Sequence, residues 1–544
     1  MKHTHRFAAG LLSLAVFATA CDKGTELVEK TPEVNEVTMM QHITKLSSDA
    51  FLGRKPFTAG DTLTVNYLSE AMEKTGLEPG NGDSYVQEVP MVEITGSPDE
   101  VMTLSGKEGQ SLSLNYVSDF VASTSHEQEE VQISNSELVF AGYGVVAPEY
   151  KWNDYEGLDV AGKTVLVLVN DPGFVSDDST FFKGHAMTYY GRYTYKYEEA
   201  ARQGATGVIV IHDTKPAGYP WGVIETSFTG AHLNLQTEDK GSEKCALEGW
   251  ITTDAVRKVM ETAGQDYDAA LAAAAKPGFT AIPLGLSYDY TIKNQLRYAK
   301  SNNVIGMVKG QSKPDEYIVY SAHWDHLGVG SGPGDSIYNG AMDNASGVAA
   351  LLAIGEAFAE AKPERSVLFL AVTGEEQGLL GSAWYASHPT VPAKQLVANI
   401  NMDALSPFGP MKDFQVIGYG QSDMDDIART HVEAQGRYIL PDQAPEKGYF
   451  FRSDHFNFAK IGVPALYGKG GFEHAEKGKE YVAQMEEQYR SKCYHQPCDE
   501  IDPAFWDFAG MRLDAQLLFE IGLDVASMEG QPQWKEGSEF KKKR

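Results

Sequence analysis

The sequence predicts an α/β protein, a mostly parallel mixed sheet sandwiched by helices, with a smaller α+β unit inserted into it. Three observations carry that prediction. From Glu316 onward strand-like and helix-like runs alternate: "EYIVYSAH", "ASGVAALLAIGEAFAEA", "SVLFLAV" and "LVANINM". Alternation of this length points to a parallel sheet covered on both faces. Between about Gly106 and Leu284 the texture changes to short strand-like runs set among turn-rich, aromatic segments. The 544 residues, 42% hydrophobic, exceed one ordinary domain and can bury a sizeable core.

Taken in order, residues 1–21 have a basic start, an apolar run from Phe7 to Phe17 and small residues Ala18 to Ala20 before Cys21, the build of a secretory signal. The run is too short to span a membrane stably. Because it ends on cysteine it resembles a bacterial lipoprotein signal, in which Cys21 becomes the lipidated first residue, although Ala18 stands where that signal usually has leucine. Plain secretion with an unmodified cysteine is the alternative. Either reading exports the protein to a periplasm or cell envelope, and a lipid on Cys21 would be its only membrane attachment.

Residues 26–105 form the N-terminal part of the main domain, where "TLTVNYLSEAMEKTGLEPG" places apolar residues at helical spacing and stops at a Gly/Pro breaker. The insert, 106–284, contributes the strands "ELVFAGYGVV", "KTVLVLVN" and "TGVIVIH" and the short helix "YKYEEAARQGA". Residues 285–530 carry the main sheet and close with the long helix "PAFWDFAGMRLDAQLLFEIGLDVASM". A polar tail, 531–544, ends in "KKKR", a solvated cluster. With 75 acidic against 46 basic residues and a formal charge of −29, the molecule would repel nucleic acid and anionic surfaces over most of its area.

Parallel sheets place functional groups in loops beyond the carboxyl ends of their strands. There the chain has His323 and Asp325 in "SAHWDHLG", Glu375 and Glu376 in "AVTGEEQGLLGS", and Asp403 in "NMD"; Asp343 stands where a helix begins, and His495 lies downstream in "CYHQPCDE". Singly, each has an ordinary explanation: a helix cap for Asp343, first-turn acids for Glu375 and Glu376. Three successive strands each ending in a potential ligand outweigh those, because imidazole and carboxylate together suit zinc or a similar divalent ion.

The series "HWDHLG", "NGAMDNASG", "GEEQGLLGS", "NMD" and "YHQPCDE" resembles the co-catalytic di-zinc exopeptidases, which include bacterial leucyl aminopeptidases, glutamate carboxypeptidase of the prostate-membrane type and glutaminyl cyclases. The match runs through about residues 295–525, and the insert resembles a protease-associated domain. The resemblance implies the zinc exopeptidase fold and two Zn2+ per chain. Asp343 would bridge them, His323 and Asp403 would complete one site, Glu376 and His495 the other, at roughly 3.5–4 Å separation. Asp325 would orient the His323 imidazole, and Glu375 would serve as general base toward metal-activated water. His326 is given no ligand role, since the matched pattern already completes both sites.

In "FFRSDHFNFAKIGVPAL" the resemblance places Phe450, Phe451, Arg452, Asp454 and His455 near a bound substrate; a helix cap at Asp454 and core phenylalanines are the alternative. Cys493 and Cys498 flank His495 closely enough to pair, or stand as small buried hydrophobes. The implied activity is aminopeptidase hydrolysis of peptides. A glutaminyl cyclase, a carboxypeptidase of the glutamate carboxypeptidase type and a non-catalytic receptor-like protein are the alternatives.

Overall fold

The computed structural model describes Met1 and residues 31–541. The signal segment with Cys21 lies outside the described residues, as do the last three basic residues. No described helix is long and apolar enough to cross a membrane.

Two helices, α1 (Glu36–Leu46) and α2 (Ala59–Lys74), lead into a long strand β1 (Val86–Pro98). Helix α1 begins where the Asn35 side chain accepts the Val37 and Thr38 amides, which satisfies two otherwise unpaired donors. Its Met39, Ile43 and Leu46 recur at four- and three-residue spacing and form the buried stripe. The main sheet follows: β2 (Ile282–Val308), β3 (Lys313–His323), β4 (Arg365–Val372), β5 (Leu396–Asn401) and β6 (Ala465–Gly470). Strand β3 pairs in parallel with β4 and β5, and β5 with β6, while β2 runs antiparallel along β4.

Every residue of β4 and β5 is buried, as expected of strands covered on both faces. The covering helices include α3 (Ser346–Ala361) and α5 (Phe508–Ser527), while α4 (Gly478–Lys492) packs through Val482 and Met485 on Phe408 and Met411. Alternation along β4 divides the core. Val367, Phe369 and Ala371 join residues of α1, α3 and α5, whereas Leu368, Leu370 and Val372 face Tyr385 and Phe458 on the other side. Helix α3 is apolar around nearly its whole circumference because it is enclosed on all sides. Each fully buried Leu, Val or Phe contributes about 1.5–3 kcal/mol. Arg365, itself buried, ties the sheet to the end of α5 by donating to the carbonyls of Val525 at 2.6 Å and Gly530 at 2.7 Å.

The insert is less separate than expected. Strand β2 starts inside it, pairing with Glu130–Phe140, then pairs along β1, and ends against β4 in the main sheet. Its Leu284, Leu286, Tyr288, Tyr290 and Ile292 belong to the insert core together with Met102 and Leu104. The expected boundaries at 105/106 and 284/285 therefore need correction: both cut through one packed unit, because a single strand is shared by the two cores. Within the insert, Thr164–Leu168, Gly207–His212 and Leu247–Thr252 form a parallel triplet.

The polar tail expected over 531–544 is also corrected. Trp534 and Phe540 are buried in an apolar cluster with Phe450, Phe451 and Phe456, and the Trp534 indole donates to the Gly462 carbonyl at 2.9 Å. Two aromatic anchors in a polar stretch suffice to dock it.

Candidate metal centre

Parallel register brings the strand ends to one edge. His323, the last residue of β3, lies opposite Val372 of β4, and Ser321 lies opposite Asn401 of β5. Glu375 and Glu376 leave β4, and Asp403 leaves β5, into the same space. Asp343 arrives in the turn before α3, and His495 in the loop after α4.

The central relation is the orientation of Asp343. Its Oδ1 lies 3.3 Å from His323 Nε2, which is 3.4 Å from Asp403 Oδ1. Its Oδ2 lies 3.3 Å from His495 Nε2, which is 3.1 Å from Glu376 Oε2. One carboxylate thus presents a separate oxygen to each of two imidazole–carboxylate pairs. The structure brings together all five residues singled out as ligands. Glu375 is near them: its Oε2 is 4.0 Å from His323 Nε2, and it groups with His323 and Asp403 closely enough to share an ion.

His326, set aside in the sequence reading, is also present. Its Nδ1 is 2.7 Å from Glu376 Oε1, and His326, Asp343 and Glu376 form a second group able to hold an ion. Glu376 therefore touches one histidine with each oxygen.

Side chains from distant parts of the sequence hold these loops in place. Asn344 donates to the carbonyls of His323 and Met402 and accepts the Gly347 and Ala404 amides, stitching three loops together. Ser453 donates to Asp403 Oδ2 at 2.6 Å. Asp499 accepts the Met342 and Asp343 amides at 3.0 and 3.1 Å. The buried Arg54 donates to the carbonyls of Trp324, Asn339 and Gly340. Asp325 was expected to orient His323 through its carboxylate. That carboxylate is 3.8 Å from His323 Nδ1, which sits closer to the Asp325 carbonyl at 3.2 Å. The carboxylate instead accepts the Glu375 and Glu376 amides.

The electrostatics follow from crowding acids in a dry pocket. Burial pushes the Glu375 carboxyl well above its usual range, His323 opposing and Asp403 and Glu376 reinforcing. Burial likewise raises Asp325 to about 7. For Asp343, burial favours the neutral form, but hydrogen bonds from His323 and His495 outweigh it and hold the carboxyl well below the ordinary value. Burial would lower His495, yet Asp343 and Glu376 drive it up to about 10. Arg54, pressed down to about 10 by burial, is drawn back by Asp499, Asp325, Asp343 and Glu376. A pocket whose carboxylates push the His323 and His495 imidazoles upward has an excess of negative charge, which divalent cations relieve. The mixed nitrogen and oxygen donor set fits that role.

The other singled-out residues are more dispersed. Asp454 is buried, accepts Ser382 Oγ at 2.5 Å and makes no side-chain helix cap; burial raises it to about 6. The buried His455 ring is 4.6 Å from Phe450 and 5.0 Å from Tyr467. Phe450 and Phe451 line a cavity of about 430 Å³ with Met187 of the insert, Tyr449 and Ser538, and no ligand candidate faces that cavity. Cys493 and Cys498 form a disulfide, Cα–Cα 5.0 Å, around His495. Arg54, Asp499 and Asn344 are the supports that sequence reasoning missed. Asp499 and Asn344 had a signal, their places in "YHQPCDE" and "NGAMDNASG"; Arg54 had none.

Residues 303–518 match Peptidase family M28. The chain is 26% identical over 234 residues to Aminopeptidase Y of Saccharomyces cerevisiae, covering 41% of this chain and 40% of that one. It is 37% identical over 100 residues to a probable zinc metalloprotease of Pyrenophora teres f. teres, 18% of this chain and 22% of the other. The aligned part thus spans two fifths or less of these curated relatives. The solved aminopeptidase from Aneurinibacillus sp. strain AM-1 aligns over 92% of this chain and 95% of its own at 19% identity, TM-score 0.50, a likeness of fold.

Proposed function

We propose that the protein, whose residues 303–518 match peptidase family M28, is a zinc-dependent exopeptidase, an aminopeptidase that releases N-terminal residues from peptides. The observation that carries this reading is the divided carboxylate of Asp343, with one oxygen toward His323 and Asp403 and the other toward His495 and Glu376. Two Zn2+ per chain would be held there, with His326 beside the second. Bound in those positions, the ions would supply Lewis acidity and a water acidic enough to attack at neutral pH.

The remaining chemistry belongs to the chain. Glu375 accepts the proton of the attacking water and returns it to the departing amine. Its buried position favours that exchange, since burial raises its affinity for a proton. Asp325 fixes the backbone that aims Glu375. Ser453 and Asn344 keep the opposing loops from relaxing apart. The insert, read as a protease-associated domain, and export to a bacterial periplasm or envelope with lipid on Cys21, are parts of the same proposal that rest on sequence alone.

The test uses the full chain, reconstituted with zinc or stripped by chelator, on aminoacyl p-nitroanilides and their N-acetylated forms. Chelator-sensitive release that requires a free amino group is expected, with about two zinc ions per chain by elemental analysis. Asp343→Asn is expected to empty both positions. Equal cleavage of the acetylated substrates would remove the aminopeptidase reading, and unchanged zinc content in Asp343→Asn would remove the bridging role.

A further inference from the structure

We infer that His326 holds Glu376 to metal ligation through a single oxygen, which keeps a coordination place open at the second ion for water or substrate. This role rests on the exopeptidase reading above and deepens it: His326 joins the centre as a positioning residue and not as a further ligand.

Distances separate the ligands from their support. Donors that share one tetrahedral zinc, each at roughly 2.0–2.1 Å from it, stand about 3.3–3.4 Å apart. His323 Nε2 has that spacing to Asp343 Oδ1, 3.3 Å, and to Asp403 Oδ1, 3.4 Å. His495 Nε2 has it to Asp343 Oδ2, 3.3 Å, and nearly so to Glu376 Oε2, 3.1 Å. Proximity alone would also let His326, Asp343 and Glu376 share an ion. Yet His326 Nδ1 lies only 2.7 Å from Glu376 Oε1, too near for two donors on one ion and the length of a charge-assisted hydrogen bond. An ionised carboxylate only accepts, so the proton lies on Nδ1 and that nitrogen keeps no lone pair for a metal. The two ring nitrogens diverge, and Nε2, away from Glu376, is buried with no partner among the described residues.

The ring is built into its place. His326 is fully buried, and its amide donates to the Arg54 carbonyl at 3.4 Å. Gly340 lies against the ring: a Cβ there would stand 2.7 Å from two ring carbons, and the left-handed backbone, φ +55°, suits glycine as well. Arg54 in turn holds the Gly340 carbonyl at 2.9 Å. Glu376 is therefore gripped at three points, its amide by Asp325, Oε1 by His326 and Oε2 facing His495. The opposite position repeats the arrangement. Asp403 turns Oδ1 toward His323, while its Oδ2 accepts the Ser453 hydroxyl at 2.6 Å. Each terminal carboxylate thus has one oxygen for an ion and the other taken by a protein donor. Freed of that donor, a carboxylate can bring both oxygens to the ion and fill its coordination shell. Catalytic zinc sites keep three protein donors and an open place; here the three are Asp343, Glu376 and His495.

The experiment compares the full chain with His326→Leu, which removes the donor, and His326→Asn, whose side-chain amide donates from near the Nδ1 position. Each is loaded with cobalt, whose visible band weakens as its coordination number rises, and metal content is read by elemental analysis. The unaltered protein and His326→Asn are expected to share one spectrum and one metal content. His326→Leu is expected to lose band intensity, and its zinc form to lose about ten- to a hundredfold in kcat on aminoacyl p-nitroanilides, the usual effect of removing a support behind a ligand. Loss of an ion from both variants would make His326 a ligand and overturn the positioning role. An unaltered spectrum in His326→Leu would overturn it too, since Glu376 would then keep to one oxygen unaided. NMR of the metal-free protein labelled with 15N-histidine needs no leucine variant to fold: the His326 signal, assigned by its absence in His326→Asn, should show a proton on Nδ1. A proton on Nε2 alone overturns the contact even in an active peptidase. A chain that binds two ions and gives these spectra but cleaves no peptide would lose the exopeptidase reading and keep the role of His326.

Discussion

The Asp325 carboxylate accepts the backbone N–H of Glu375 at 3.0 Å. Its second oxygen takes the neighbouring Glu376 amide, so one buried side chain fixes the turn that delivers both the proposed base and a proposed ligand. An amide in place of that carboxylate would set an NH2 against a backbone N–H. Asp325→Asn is therefore expected to lower kcat/KM by about ten- to a hundredfold and stability by about 1–3 kcal/mol, the cost of a buried donor left unpaired. Steady-state kinetics and urea unfolding on the same preparation measure both effects. A variant that loses neither would leave the turn held by other contacts.

Glu375→Gln separates proton transfer from ligation. Glutamine keeps the volume and a hydrogen-bonding oxygen but cannot take a proton at neutral pH. Turnover is expected to fall by about a hundredfold or more, the range general-base catalysis supplies, while zinc content by elemental analysis stays at the unaltered value. Because Glu375 also lies within ligand range of His323 and Asp403, the metal measurement is the informative half. Zinc lost together with activity would make Glu375 a ligand.

Much of this centre was legible before folding because strand ends announce themselves: β3, β4 and β5 are apolar runs closed by His323, by the Glu375 and Glu376 pair, and by Asp403. The supports were not. Arg54 and Asp499 meet the Asp343 loop from opposite ends of the chain, and no local pattern joins them. His326 was discounted because the matched pattern was already full, yet it bonds Glu376 directly. The insert boundary was misplaced because β2 keeps its inward and outward alternation while passing from one core to the other. The tail was misread because composition hides two aromatic anchors, Trp534 and Phe540.

The disulfide between Cys493 and Cys498 encloses His495 in a short loop. Closing a loop of this size restricts the unfolded chain by about 2 kcal/mol, and here it also restrains a proposed ligand. Replacing both cysteines by serine is expected to weaken one zinc position by about tenfold or more and leave the other tighter. Competition with a chromophoric chelator resolves the two affinities. Alkylation and mass mapping of the unaltered protein should find neither thiol free, and labelling at both positions would withdraw the restraint.

His42 carries a pH prediction away from the metal centre. Its Nδ1 meets the Tyr67 hydroxyl at 2.7 Å between α1 and α2, and burial lowers the imidazole to about 4 from an unfolded value near 6.5. The unfolded chain takes up this proton first, so His42 leaves stability undiminished above about pH 6.5 and erodes it as pH falls toward 4, below which the loss levels off. His42→Gln keeps a hydrogen-bonding side chain and removes the titration. Urea midpoints measured from pH 7 to 4.5 should fall more steeply in the unaltered protein than in the variant, closing or reversing any gap at pH 7. Parallel pH profiles for the two proteins would show that the imidazole titrates alike folded and unfolded.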